Sequence, residues 1–306
     1  YRVDLWQADD GDTLGPNHDC KDARLRAFFG QREVRKALSL AIDREEINKQ
    51  VYNGVGTPRQ ASPTSLGPYY HEPAARAYAS YAPQEANRLL DAAGYAARDA
   101  AGWRVWDDGS GEPISFVMES WARQGEARVR AAEMVIRYYE AIGIRAVLRL
   151  EDRAVYEARS EANEIQAAWQ GGGHYTQVFL KRDNYYTGEK TSRAWAGGWG
   201  LWKFNHDDPN GHPPPAGHWL WELWDIWDAA STDPDEARRI AAHRRIMDIW
   251  AREVPVVGVV GELPGPVIVK NGIRNFTGSY PFQTPTNDDA LLGSPVYFWD
   301  DPDAHR

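Results

Sequence analysis

Residues 114–169 constrain the fold more than any other part of the chain. ISFVM at 114–118 is a short apolar run of strand length, and an amphipathic helix over 126–142 follows it, with Val129, Ala132, Ile136, Tyr139 and Ile142 on one face. Gly143 closes that helix, and IRAVLRL supplies a second strand. Asp152 then caps a helix over RAVYEARSEA, and IQAAW at 165–169 gives a third strand. Strands joined through helices pair in parallel, because a crossover brings the chain back in the same direction. The segment therefore predicts an α/β domain with a mixed, mostly parallel sheet flanked by helices. Ligands of such sheets bind outside the carboxyl ends of the strands, and Trp169 stands at one of those ends.

The flanking regions carry weaker signals. Val3 and Leu5 alternate with polar neighbours and predict a strand over residues 1–7, followed by a polar Gly/Asp-rich loop to about residue 22. Val34, Leu38, Ala41 and Ile42 form one helical stripe; Asp43 caps a second helix, with Glu46 at the capping-box position and Gly54 and Gly56 beyond its end. Residues 57–82 read as an irregular connection, and Pro83 opens a short helix closed by Gly94. Helices are expected over about 218–230 and 234–253, strands at 254–261 and 266–270, and a poorly ordered tail beyond Gly278.

The stretch from Trp169 to Trp227 holds eight of the chain's 14 Trp, together with the run Gly171–Gly173. Rigid aromatic faces on glycine-bent backbone are suited to gripping a ring-shaped small molecule, since Trp offers a large contact area at low entropic cost. Trp195, Trp199 and Trp202 are spaced by four and three residues, but Gly197, Gly198 and Gly200 argue against a regular helix there. They are read as loop-borne ligand candidates, weighed evenly against loop Trp that cover the core. Trp221, Trp224 and Trp227 have helical spacing and are assigned to the core.

Several classes of function are disfavoured. A net charge of −9, with Arg interleaved among acids, argues against nucleic-acid or anionic-membrane partners, which need a basic stripe. The single Cys20 leaves no internal disulfide and no Cys-based zinc site. No GxSxG, HExxH or Walker A motif is present, so no catalytic residue and no cofactor is assigned. His206, Asp207, Asp208, His212 and His218 have metal-ligand chemistry but read better as a solvated Pro/Gly-rich loop, and no metal is assigned. Glu151 and Asp152 are adjacent at a strand end, where neighbouring side chains diverge, so they make a poor glycosidase pair.

VRKALSLAIDREEINKQVYNGVGTPRQASP and then YAPQEANRLLDAAGY resemble the signature blocks of the family 5 solute-binding proteins of ABC importers, typified by dipeptide and oligopeptide receptors. AEMVIRYYEAIGIRAVLRLEDRAVYEAR and EVPVVGVVGELPGPVIVKNGIRN are similar to later parts of the same family, so the resemblance runs from about residue 22 to 276. It implies a type II periplasmic-binding-protein lobe: residues 1–21 a remnant of the first lobe, 22–262 the second lobe, and 263–306 a return segment toward the first lobe with the tail. Tyr1, with neither Met nor export signal before it, fits a mature or excised piece.

The resemblance further implies a monomeric binding protein, not an enzyme, that serves an ABC permease. It would lie in the periplasm or otherwise outside the cytoplasm, free or lipid-anchored. Peptide receptors of the family often carry an Asp shortly after the Trp-bearing strand, whereas here the matching segment is Trp169-Gln170-Gly171-Gly172-Gly173-His174. A buried ammonium without a counter-charge is unfavourable, which favours an oligosaccharide over a peptide. The expected ligand-binding set is Trp169, Gly172, His174, Tyr175, Trp195, Trp199, Trp202 and Asn205. A peptide receptor of the same family, a glycan-active hydrolase domain and a metal-binding module on the His206–His218 loop remain as alternatives.

Overall fold

The computed structural model describes residues 1–7, 11–172, 178–180, 185–189, 194–276, 297–301 and 303. The chain opens with strand β1 (Arg2–Gln7), as the Val3/Leu5 alternation predicts. The next segment departs from expectation: Gly11–Pro16 is not a loop but strand β2, buried along its whole length. Its polar groups find partners far away in sequence. Asp12 accepts from the Tyr52 hydroxyl and from Arg128 at 3.2 Å, and Thr13 Oγ1 donates to the Gln170 carbonyl at 2.7 Å. A strand built on such long-range polar contacts has no apolar period to reveal it.

Helices α1 (Ala23–Gly30), α2 (Arg32–Leu40) and α3 (Arg44–Tyr52) follow. Val34, Leu38, Ala41 and Ile42 are buried, and the Asp43 carboxylate accepts from the Glu46 amide at 2.9 Å, as the capping pattern predicts. Asn53, in the left-handed conformation, ends α3 one residue ahead of Gly54. The connection beyond it holds the short β3 (Thr57–Pro58) and α4 (Glu72–Arg76). Helix α5 (Pro83–Leu90) starts on its proline and runs into a π turn over Asp91–Tyr95, where Gly94 takes φ 101°.

The crossover unit comprises β4 (Ser115–Ser120), α6 (Ala127–Ala141), β5 (Arg145–Leu150), α7 (Arg153–Glu161) and β6 (Ala167–Gln170). Helices α8 (Gly197–Phe204), α9 (Trp219–Ser231) and α10 (Glu236–Glu253) follow, then β7 (Val257–Gly261), β8 (Pro264–Val269), β9 (Ile273–Arg274) and β10 (Phe298–Trp299). Helix α8 corrects the expectation that three glycines preclude one. A Cβ on Gly200 would lie 1.9 Å from the Gly188 carbonyl oxygen, and one on Gly198 would lie 2.8 Å from an Asp19 carboxylate oxygen. The glycines lower helix propensity by about 1 kcal/mol each but permit these close approaches.

The main sheet is mixed, six-stranded, in the order β3-β7-β2-β6-β4-β5. Parallel pairing is confined to β4–β5 and β4–β6, where the crossovers demand it; β2 pairs antiparallel with both β6 and β7, and β3 with β7. The parallel share is therefore smaller than expected, because β2, β3 and β7 join from outside the crossover run. One face of the sheet contributes Met118, Ala146, Ala167 and Trp169 to a core shared with α1, α2, α3 and α6. Ala168 points the other way, into a small cluster with Tyr156, Ile165 and Trp121. Helices α9 and α10 build a further core with Trp195, Trp199, Trp224 and Trp250.

Two strands stand outside the main sheet. β1 and β8 form an antiparallel ribbon in register from Arg2↔Val269 to Gln7↔Pro264, with Val3, Leu5 and Ile268 exposed. Strand β2, from the segment expected to belong to a first lobe, is instead an inner strand of the six. Most of the tail beyond Gly278 lies outside the described residues.

Candidate functional site

The register of the sheet brings several segment ends to one edge. β4, β5 and β6 run parallel, so Ser120, Leu150 and Gln170 close their carboxyl ends together. β2 runs the other way, with Thr13 opposite Gln170 and Gly11 opposite Gly261, so β2 begins and β7 ends at the same edge. A cleft of about 850 Å³ opens there, lined by Trp121, Arg123, Arg128, Glu151, Asp152 and Arg153 among others. This is the location expected for ligands of such sheets. With Glu126 also on the wall, the three Arg face three acids, so the cleft does not call for a charged ligand.

Ion pairs fix the floor beside the cleft. Glu119, fully buried on β4, receives Arg159 at 3.0 Å and Arg149 at 3.6 Å. Glu151 Oε1 lies 3.4 Å from Arg159 and 3.9 Å from Arg149, while its other oxygen is buried without a hydrogen bond. Hydrogen bonding to Glu119 raises the Arg159 guanidinium further above its ordinary value, so it is a permanent cation. Trp121 projects over this floor, edge-on to Tyr156 at 4.8 Å, with the Arg153 guanidinium 5.5 Å from its ring.

The residues expected to bind ligand are spread more widely. Trp169 is fully buried on the opposite face of the sheet, and its indole donates to the Arg128 carbonyl at 2.9 Å. Trp195 is also interior, donating to the Tyr185 carbonyl at 3.1 Å and stacked on Trp219 at 6.1 Å. Trp199 is buried against His218, with ring centres 4.7 Å apart. These three offer no open face in this conformation, because Trp169 packs in the core with α1, α2, α3 and α6, and Trp195 and Trp199 pack against α9 and α10. Trp202 is half-buried with its ring stacked on His206 at 4.2 Å, and Asn205 is an exposed cap of α8. Gly172 follows β6 and is buried; His174 and Tyr175 lie outside the described residues. Of the Trp assigned to the core, Trp224 and Trp227 are buried, while Trp221 is half-buried and donates to the Pro215 carbonyl at 3.1 Å.

The His206–His218 loop disperses its ligand-type side chains. His206 stacks on Trp202, His212 Nε2 pairs with Asp19 at 3.0 Å, and the His218 ring accepts from the Leu220 amide at the start of α9. Burial raises the Asp19 carboxyl above its ordinary value, and the neighbouring His212 opposes that shift. Among the described residues, no group of three or more His, Cys, Asp or Glu is placed to hold a metal ion. Nor is any described helix long and apolar enough to cross a membrane. Trp121, which lines the cleft, lies outside the aromatic stretch, so a count of aromatics passes over it; its place after a parallel strand is the signal the sequence carries.

The sequence profile of the bacterial extracellular solute-binding proteins, family 5, middle region, matches residues 9–192. No curated protein matches the chain. Among solved structures, it is similar to an oligopeptide-binding protein OppA, with TM-score 0.78 and 27% identity over 98% of this chain and 49% of that one. It is also similar to AppA of Bacillus subtilis in complex with a nonapeptide, with TM-score 0.71 and 17% identity over 98% and 52%. A third likeness is to a periplasmic oligopeptide-binding protein of Thermotoga maritima bound to mannohexaose, with TM-score 0.65 and 15% identity over 90% and 50%. The chain thus spans about half the length of each.

Proposed function

This chain belongs to the bacterial extracellular solute-binding proteins, family 5, and from that premise we propose that it is one jaw of a receptor that captures a small polar solute at the carboxyl edge of its sheet. The observation that carries the reading is the position of the ribbon. β2 begins and β7 ends at the edge where the cleft opens, and their continuations, β1 and β8, leave together as the exposed ribbon. A second jaw reached through that ribbon would face the cleft. On this reading the jaw starts near residue 11, and residues 263–306 return toward the other lobe. Closure of the two would enclose the solute and present it to an ABC permease outside the cytoplasm, the receptor acting as a monomer, free or lipid-anchored, with no chemical step.

An oligosaccharide is the favoured solute. Trp121 provides an aromatic platform amid planar polar side chains with balanced charge, and the segment Trp169–His174 holds no acid where peptide receptors of the family often carry one. The second reading is a peptide, supported by the oligopeptide receptors among the similar structures. Titration of the chain with a saccharide panel and a peptide panel, followed by ligand-detected NMR, tests the choice. The expected result is weak, saturable saccharide binding, since a single jaw leaves most of a ligand in water. Saturable peptide binding with no response to sugars would reverse the preference, and tight binding by this chain alone would contradict the one-jaw assignment.

A further inference from the structure

At the carboxyl edge, three neighbouring strands end in one row of side chains. Glu119 is in register with Ala168 on β6 and with Arg149 on β5, and the Glu151 amide donates to the Ser120 carbonyl at 2.9 Å. Trp121 and Glu151 come directly after the last paired residues of β4 and β5, and Gln170 ends β6 two residues past Ala168. Side chains alternate across a sheet, so these three share a face with Ala168, Glu119 and Arg149. The contacts agree: Trp121 packs in the cluster that contains Ala168 and Tyr156, and Glu151 meets the same two Arg as Glu119.

Both ends of the row carry polar groups without partners. Gln170 is 1% exposed, and neither its amide oxygen nor its amide nitrogen has a hydrogen bond. At the other end, the second carboxylate oxygen of Glu151 is buried and unbonded. Folded proteins rarely strand a buried amide in this way, because losing water without gaining a partner is unfavourable. Trp121 lines the cleft together with Glu151, and the Arg153 side chain beside its ring is 71% exposed, so a ligand displaces it easily.

We infer that Gln170, Trp121 and Glu151 form a subsite for one neutral, hydroxyl-bearing ring of a carbohydrate. This deepens the solute-capture reading and rests on it. Hydroxyls satisfy both ends at once: one donates to the Glu151 oxygen, while another donates to the Gln170 amide oxygen or accepts from its NH2. The C–H face of the ring stacks on Trp121. An ammonium fits less well, because Arg149 and Arg159 already answer the Glu151 charge. An anion would meet the carboxylate directly.

The test uses the 306-residue chain with mannohexaose and cellohexaose as saccharide probes and trialanine as the peptide probe, read by ligand-detected NMR titration, with thermal unfolding in parallel. Gln170→Met keeps the volume and removes the stranded amide, so it raises the melting temperature while weakening saccharide binding by about tenfold. Stability and binding moving in opposite directions is a signature that a purely structural role would not give. Glu151→Gln weakens binding by about the same factor with the fold intact. Saccharide binding that survives both substitutions overturns the subsite while leaving the solute reading in place. A lower melting temperature for Gln170→Met likewise overturns it, since the amide would then have a stabilising partner. A wild-type chain that takes up trialanine and neither saccharide overturns the ligand class, and the subsite with it.

Discussion

His243 provides a quantitative test of the packing between α9, α10 and the aromatic stretch. It is fully buried on α10 among Tyr186, Tyr69 and Phe179, at ring-centre distances of 5.0, 5.5 and 6.1 Å, and neither ring nitrogen has a hydrogen bond. Burial, reinforced by the nearby His71, pushes its pKa from 6.5 down to about 3. The folded pKa lies below the unfolded one, so between those limits the unfolded chain binds the extra proton. The stabilisation from keeping this ring neutral is complete above pH 6.5 and is lost as pH falls toward 3. At about 1.4 kcal/mol per pH unit, the full loss is about 5 kcal/mol, comparable to the whole stability of a marginal domain.

His243→Phe keeps an aromatic ring in the cage and removes the titration. Urea unfolding of both proteins at pH 7 and pH 4, followed by far-UV circular dichroism, isolates this residue, because carboxylates and the other histidines contribute to both slopes and largely cancel in the difference. The variant is expected to gain about 3 kcal/mol on the wild type between pH 7 and pH 4. Parallel slopes would show that the ring is hydrated or hydrogen-bonded and that the core around it is wrongly drawn.

Further substitutions probe other parts of the structure. Gly200→Ala, which would help an isolated helix, is expected to lower stability by about 1–3 kcal/mol in denaturant melts, since the new methyl meets the Gly188 carbonyl. Asp12→Ala removes one partner of Arg128 and of the Tyr52 hydroxyl, and is expected to lower stability by about 2 kcal/mol while moving the thermal midpoint down. Arg44 is buried and donates only to carbonyls and Ser39, with burial lowering its pKa to about 10; Arg44→Lys cannot reproduce that fork and is expected to lower stability by about 2 kcal/mol in the same assay. Trp121→Ala should remove saccharide binding and lower the melting temperature modestly, because the ring is half-buried against Tyr156.

The local rules of the sequence located the crossover unit, the Asp43 cap, the proline start of α5 and the buried run of β7, because each depends on neighbours within a few residues. What escaped depends on distant partners. β2 has little apolar pattern, and its Asp12 and Thr13 are satisfied by Arg128, Tyr52 and Gln170. The glycines of α8 read as helix breakers in the sequence, and only the folded chain sets Gly188 and Asp19 against them. The same limit applied to the site. Counting aromatics drew attention to Trp169, Trp195 and Trp199, which fill interiors, whereas a single Trp121 at a strand end sits in the cleft. Composition reports how many Trp there are, and only topology reports which of them meet solvent at the working edge.

Capture of solute at the carboxyl end of β4, β5 and β6 is the premise on which the proposed function stands. Its most direct test follows the indole N–H signals of the 14 Trp by two-dimensional NMR during titration with mannohexaose. The Trp121 signal is expected to shift along the titration while those of Trp169 and Trp195, buried and hydrogen-bonded to carbonyls, stay in place. A shift at Trp202 or Trp221 with Trp121 unmoved would place the ligand on another surface and contradict it.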